Sequence, residues 1–175
     1  VAFKHLEKIG RRVLIIGGGP GMPGALRLAG EAALRTGAGL VTVAGAAQNL
    51  APVVSGCPEL IYAPIEKPHD LDEHLQRADV IAIGPGLSRS DWARALCERV
   101  FAAAAPLVVD ADALNLLADS AARRRQNWVL TPHPGEAARL LGMTVEAVQD
   151  DRIAAVDALV ARYGGVAVLK GAGTL

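Results

Sequence analysis

Residues 131–136 read TPHPGE, with His133 held between Pro132 and Pro134 and followed by Gly135 and Glu136. Two prolines restrict the backbone on either side of the histidine. Its imidazole is therefore aimed, and could donate to a polar substrate group or a phosphate, or relay a proton near neutral pH. Pro134 suits the first position of a helix, which places His133 at the N-cap and Glu136 at the third helical position, within reach of the His133 N–H. A second stretch, PLVVDADALN (106–115), carries Asp110, Asp112 and Asn115. Positions i and i+2 of a strand share a face. Both carboxylates could thus look into one pocket, where hydrated Mg²⁺ beside a phosphate would suit them. Asp112 could equally cap the following helix. Asp110, directly after LVV, needs a partner. A third stretch is KGAGT, residues Lys170, Gly171, Ala172, Gly173 and Thr174. One point charge and several unobstructed N–H donors suit an anion. The plainer reading of Lys170 is a strand-end lysine in solvent.

Two further loops are rich in glycine: GGGPGMPG (17–24) and GPGLSRS (84–90). Glycine lets the backbone approach a ligand and leaves its N–H groups free to line an anion site. Tight strand-to-helix turns need Gly and Pro in any case, so the weight lies in having five such loops on one rim. Gly19, Gly21 and Gly24 satisfy G-x-G-x-x-G. A dinucleotide-binding Rossmann unit would then place an acid at the end of the second strand. That strand ends VTVAGAAQ, without one. Nothing matches the GK[ST] of a Walker A loop.

The elements that must position these residues alternate. Strands are expected at 11–18, 39–45, 59–65, 78–84, 106–112, 128–132 and 165–171, with Pro64 marking an end or an edge. Helices are expected at 24–37 with Gly37 as C-cap, 70–77, 90–104, 113–118, 134–142 and, as one long helix, 144–164. Parallel strands flanked by helices place ligands beyond the strands' carboxyl ends. One domain over residues 1–175 is the expectation. The chain is 51% hydrophobic but only 3% aromatic, so the core must be built from Ala, Val, Leu and Ile. Eighteen basic residues balance eighteen acidic ones. That balance gives no electrostatic reason to expect nucleic acid or an anionic membrane as partner. No apolar run approaches the roughly 18–20 residues of a membrane span. VAFKHLEKIG lacks a signal-peptide stretch. Cys57 and Cys97, without CxxC spacing, read as reduced, partly buried thiols of a cytoplasmic protein. His5, His69, His74 and His133 form no metal-ligand pattern with them.

VLIIGGGPGMPGALRLAGEAALRTGAGLVTVA, ADVIAIGPGLS, PLVVDADALNLLA, WVLTPHPGEAARLLG and GVAVLKGAGTL, in that order, resemble the ADP-dependent NAD(P)H-hydrate dehydratases. The resemblance covers nearly the whole chain. It implies a ribokinase-like three-layer α/β/α fold with a central, mostly parallel sheet. It also implies a reaction in which hydrated NADH or NADPH loses water at the expense of ADP or ATP, with Mg²⁺. In that scheme the added hydroxyl is phosphorylated so that it leaves as phosphate. Ala25, Gly86 and His133 match positions that touch the hydrate; Asp110 and Asn115, from the strand-end stretch read above, are expected to bind the substrate as well. Lys170 to Thr174 match the loop that holds the adenylate phosphates. A homo-oligomer is implied as well.

The family pattern continues past KGAGT into a strand and a GTGD segment whose Asp is the presumed base. No G-T-G-D occurs between Val1 and Leu175. The chain is therefore expected to be a piece of a longer product, without that base and with little activity by itself. An upstream epimerase domain would be compatible with the Val1 start. Two rivals stand beside this reading: a ribokinase-like kinase of a small alcohol, such as a thiamine-precursor pyrimidine or thiazole, and a non-catalytic adenylate-binding remnant.

Overall fold

The computed structural model describes residues 11–120 and 124–175. His5 and the rest of VAFKHLEKIG lie outside the described residues. Seven strands build one sheet: β1 (Arg12–Ile16), β2 (Leu40–Gly45), β3 (Ile61–Pro64), β4 (Val80–Ile83), β5 (Leu107–Val109), β6 (Trp128–Leu130) and β7 (Val166–Ala167). Their order is β3-β2-β1-β4-β5-β6-β7, and every neighbouring pair is parallel. The strands are short runs of β-branched and aliphatic residues, as strands buried between helices require. Among the described residues eight α-helices connect them: α1 (Pro23–Arg35), α2 (Leu50–Val54), α3 (Asp72–Arg77), α4 (Asp91–Ala102), α5 (Ala111–Ala118), α6 (Pro134–Leu141), α7 (Val145–Asp150) and α8 (Arg152–Tyr163).

The sheet has a core on each face. Ile15, Val41 and Val43 pack with Leu26 of α1 and Val53 of α2 on one side. Leu14, Ile16, Ile81, Ile83, Leu107, Val109 and Leu130 pack beneath α4 to α8 on the other. The three α/β/α layers are thus present, with α1 and α2 over β1 to β3. Further along that same face, Ala82, Val108, Val129 and Val166 stand in register across β4, β5, β6 and β7. The first three are only half-buried, and Val166 is 54% exposed. Cys97, inside α4, is buried, and burial pushes its thiol up to about 12. Such a thiol is inert near neutral pH. Among the described residues, no helix is long and apolar enough to cross a membrane.

Three expectations are corrected, and one short helix was not anticipated. The strand expected at 165–171 is paired only over Val166–Ala167. The strand expected at 106–112 ends at Val109, and α5 begins at Ala111. The single helix expected at 144–164 is two, because Asp151 (φ −139°, ψ 85°) leaves the helical region and its carboxylate accepts the Ala154 N–H. A short polar side chain can replace the backbone bonds of a continuing helix in this way. The short α2 was not anticipated, since LAPVV has too few residues to show a period and contains a proline.

Candidate functional site at the carboxyl ends of the strands

The strand order reverses between β1 and β4, so the crevice of an open parallel sheet lies between the loops that leave those two strands. GGGPGMPG and GPGLSRS meet there. The Gly18 N–H donates to the Pro85 carbonyl at 3.0 Å, and the Gly19 N–H to the Gly86 carbonyl at 2.7 Å. The Gly17 N–H donates to Ala44. These three donors are therefore spent inside the protein, which corrects the expectation that this loop offers them to an anion. Asn49, buried after β2, donates its amide to the Gly18 and Gly19 carbonyls at 2.8 and 3.0 Å. Sequence reasoning missed Asn49. Its signal was an amide side chain standing where a Rossmann unit would need an acid. Beside it, the Tyr62 hydroxyl donates to the Ala46 carbonyl at 2.7 Å, and burial pushes this phenol up to about 12, so it remains a donor.

Ala25 and Gly86 are brought together. Gly86 has φ +61°, and a Cβ placed on it would lie 3.1 Å from the Cβ atoms of Ala25 and Met22. Only glycine adopts that backbone at little cost while leaving the crevice open.

His133 is the N-cap of α6, as its flanking prolines foretold. Its Nδ1 accepts the N–H groups of Gly135 (3.0 Å) and Glu136 (3.4 Å), while Glu136 Oε2 accepts the His133 N–H at 2.8 Å. With Nδ1 used as acceptor, the proton of the neutral ring belongs on Nε2, which lies 3.3 Å from Glu136 Oε1. The imidazole is half exposed on the rim, whereas Glu136 is buried. Glu136 does more than cap: its Oε2 is 3.9 Å from the Lys170 ammonium.

Lys170 is no solvated strand-end lysine. Its ammonium sits 2.5 Å from Asp110 Oδ1, sixty positions away in the chain, and its N–H donates to the Pro132 carbonyl. Asp110 thereby finds the partner that its place after LVV demanded. His133, Glu136, Lys170 and Asp110 form a continuous polar chain across the ends of β5, β6 and β7.

Asp112 does not join it. Its carboxylate accepts the Ser88 N–H at 2.8 Å and so ties the start of α5 to the loop after β4. Asp110 and Asp112 diverge because Ala111 between them has φ +49° and begins a helix, so the two-residue period of a strand does not apply. Asp112 lies in the first turn, and the N-cap position is Asp110. This corrects the capping expectation, and the two carboxylates take separate partners. Asn115 accepts a hydrogen bond from Arg139 of α6, an arginine that no pattern in the sequence marked. Among the described residues, no group of three or more His, Cys, Asp or Glu side chains could hold a metal ion. The site offers magnesium no ready-made protein cage.

The fold and rim define a ribokinase-like α/β protein. A ribokinase-like protein of known structure from Enterococcus faecalis superposes with a TM-score of 0.85 at 32% identity, over 93% of this chain and 58% of that one. The family model described as NAD(P)H-hydrate dehydratase matches residues 13–175, and the chain belongs to that family. The bifunctional NAD(P)H-hydrate repair enzyme of Coxiella burnetii is 53% identical over 164 residues, which are 93% of this chain and 33% of that protein. The ADP/ATP-dependent NAD(P)H-hydrate dehydratase of Bacillus subtilis, co-crystallised with ATP and Mg²⁺, gives a TM-score of 0.78 at 30% identity over 99% of this chain and 62% of that one. The chain spans about a third of the length of the curated relatives it matches first.

Proposed function

We propose that this chain supplies the nucleotide loop and most of the substrate crevice of an ADP- or ATP-dependent dehydratase that returns hydrated NADH or NADPH to its normal form. Ala25, Gly86 and His133 line the hydrate side, with Asp110 and Asn115 behind them. Lys170, Gly171, Ala172, Gly173 and Thr174 take the adenylate phosphates. The reading is carried by the joining of these two regions: the His133–Glu136–Lys170 contacts link a rim histidine to the strand-end lysine. Phosphoryl transfer to the substrate hydroxyl is mostly positioning and charge stabilisation. A chain of aimed polar side chains on strand ends suits that task. The hydroxyl oxygen gives up its proton and takes the terminal phosphoryl group, and the nucleotide departs one phosphate shorter; the C–O bond then breaks to release phosphate as the adjacent ring carbon loses a proton and the ring double bond is restored. Magnesium would come with the nucleotide phosphates and be held mainly by them, lending charge neutralisation to the transferred group. Asp110 is already paired with Lys170.

The test is calorimetric titration with ADP. Lys170→Ala should weaken binding by about tenfold, the loss expected for one charge-assisted contact. An unchanged dissociation constant would remove the nucleotide from this loop. Dehydration of NADH hydrate by a protein of the relatives' length, followed as the return of NADH absorbance, separates this reading from a kinase of a small alcohol and from a non-catalytic remnant.

A further inference from the structure

The loop after β7 is braced from behind by one side chain, Arg152, the first residue of α8. Its guanidinium donates to the carbonyls of Gly173 at 3.1 Å, Leu169 at 3.2 Å and Lys170 at 3.5 Å, and to the Gln149 side-chain oxygen at 2.8 Å. It also lies against Gly171: a Cβ built there would be 3.0 Å and 3.2 Å from the two terminal guanidinium nitrogens. Gly171 has φ +148°, a backbone that other residues rarely adopt. The ends of the loop close on each other, since Leu169 and Leu175 exchange N–H to carbonyl bonds at 2.9 and 3.2 Å.

A planar trans peptide points its C=O and its N–H in opposite directions. The Lys170 carbonyl, drawn toward Arg152, turns the Gly171 N–H away from it. The Gly173 carbonyl does the same for the Thr174 N–H. Among the described residues neither N–H has a protein acceptor. The three carbonyls converge on one terminal nitrogen, Nη2, while Nη1 donates to Gln149, so the planar fork is anchored at both tips. Arg152 opens α8 directly after the break at Asp151.

We propose that Arg152 is a positioning residue for the nucleotide. It gathers the carbonyls of the 169–173 segment on one side, so that the N–H groups of Gly171 and Thr174 stay aimed at the anion on the other. This rests on the reading of residues 170–174 as the nucleotide loop, and the experiment keeps the two apart. The amide resonances of residues 171–174 are recorded without nucleotide, and ADP and NADH-hydrate affinities are measured, for the wild type, Arg152→Ala and Arg152→Lys. In Arg152→Ala the Gly171 and Thr174 amides should shift. ADP binding should weaken by about tenfold or more, and hydrate binding should not change. Added guanidinium ion should move the amides back. Arg152→Lys should recover only part of the ADP affinity, since a single ammonium cannot hold the three carbonyls while also keeping the Gln149 contact that the second guanidinium nitrogen makes, and it carries the same comparison if the alanine variant does not fold. Loop amides that stay in place, or equal ADP affinity in wild type and variants, would overturn the proposal. A wild-type chain that binds no ADP overturns instead the assignment of the loop to the nucleotide.

Discussion

Asp110 and Lys170 hold each other in a pair that is more than a third exposed, so their attraction adds only about 0–1 kcal/mol to stability. Its weight lies in the charge of the site. An ammonium already matched by a carboxylate attracts a phosphate less than a free one does. Asp110→Asn should therefore tighten ADP binding when magnesium is chelated, on the order of tenfold for one unit charge removed at short range. Folding should change little. If the variant binds ADP more weakly under chelation, Asp110 contacts the nucleotide itself. If it weakens only when magnesium is present, the carboxylate helps to hold the ion. The pairing was half legible in the sequence. An acid after LVV announced the need for a partner, but nothing local could pick out a lysine sixty positions away.

At the scale of elements, α6 shows how much a short motif can determine. The residues PHPGE specify the N-terminus, the capping histidine and the returning glutamate, and each appears where the pattern puts it. His133→Ala should fray α6 and cost about 0.5–2 kcal/mol, whereas His133→Asn, which can also cap, should restore the melting temperature. A collapse of folding in both variants would mean that the rim depends on the ring for more than the cap. If, in a protein of the relatives' length, the asparagine variant regains stability but not hydrate turnover, the half-exposed Nε2 side of the ring serves the substrate. Strand and helix positions were legible for the same reason as this cap: apolar runs and periods are local. What was not legible depends on single backbone departures. Ala111 at φ +49° turned an expected strand end into a helix start, and Asp151 split one expected helix into two. Both departures are decided by what the chain meets in space. Arg139 on Asn115 and Asn49 on the glycine loop belong to the same class, since each joins segments distant in sequence.

For the molecule as a whole, the sheet is covered unevenly. Helices α4 to α8 bury one face from β4 to β7, while α1 and α2 reach only β1 to β3 on the other. Ala82, Val108, Val129 and Val166 therefore form a band of small apolar side chains that is half-buried or exposed, and it ends at the edge strand β7. A contiguous apolar surface beside an open strand edge favours association. The polypeptide of residues 1–175 is expected to bind an apolar fluorescent dye and to form larger species as its concentration rises, both measurable without any assay of activity. Val129→Lys supplies the control. On an open face the lysine stem lies along the surface with its ammonium in water, so the variant should fold, bind less dye and scatter as a smaller species. On a packed face the same change would bury an unpaired charge and unfold the chain. A wild type that stays monomeric at all concentrations and leaves the dye dark would show that this face is already covered.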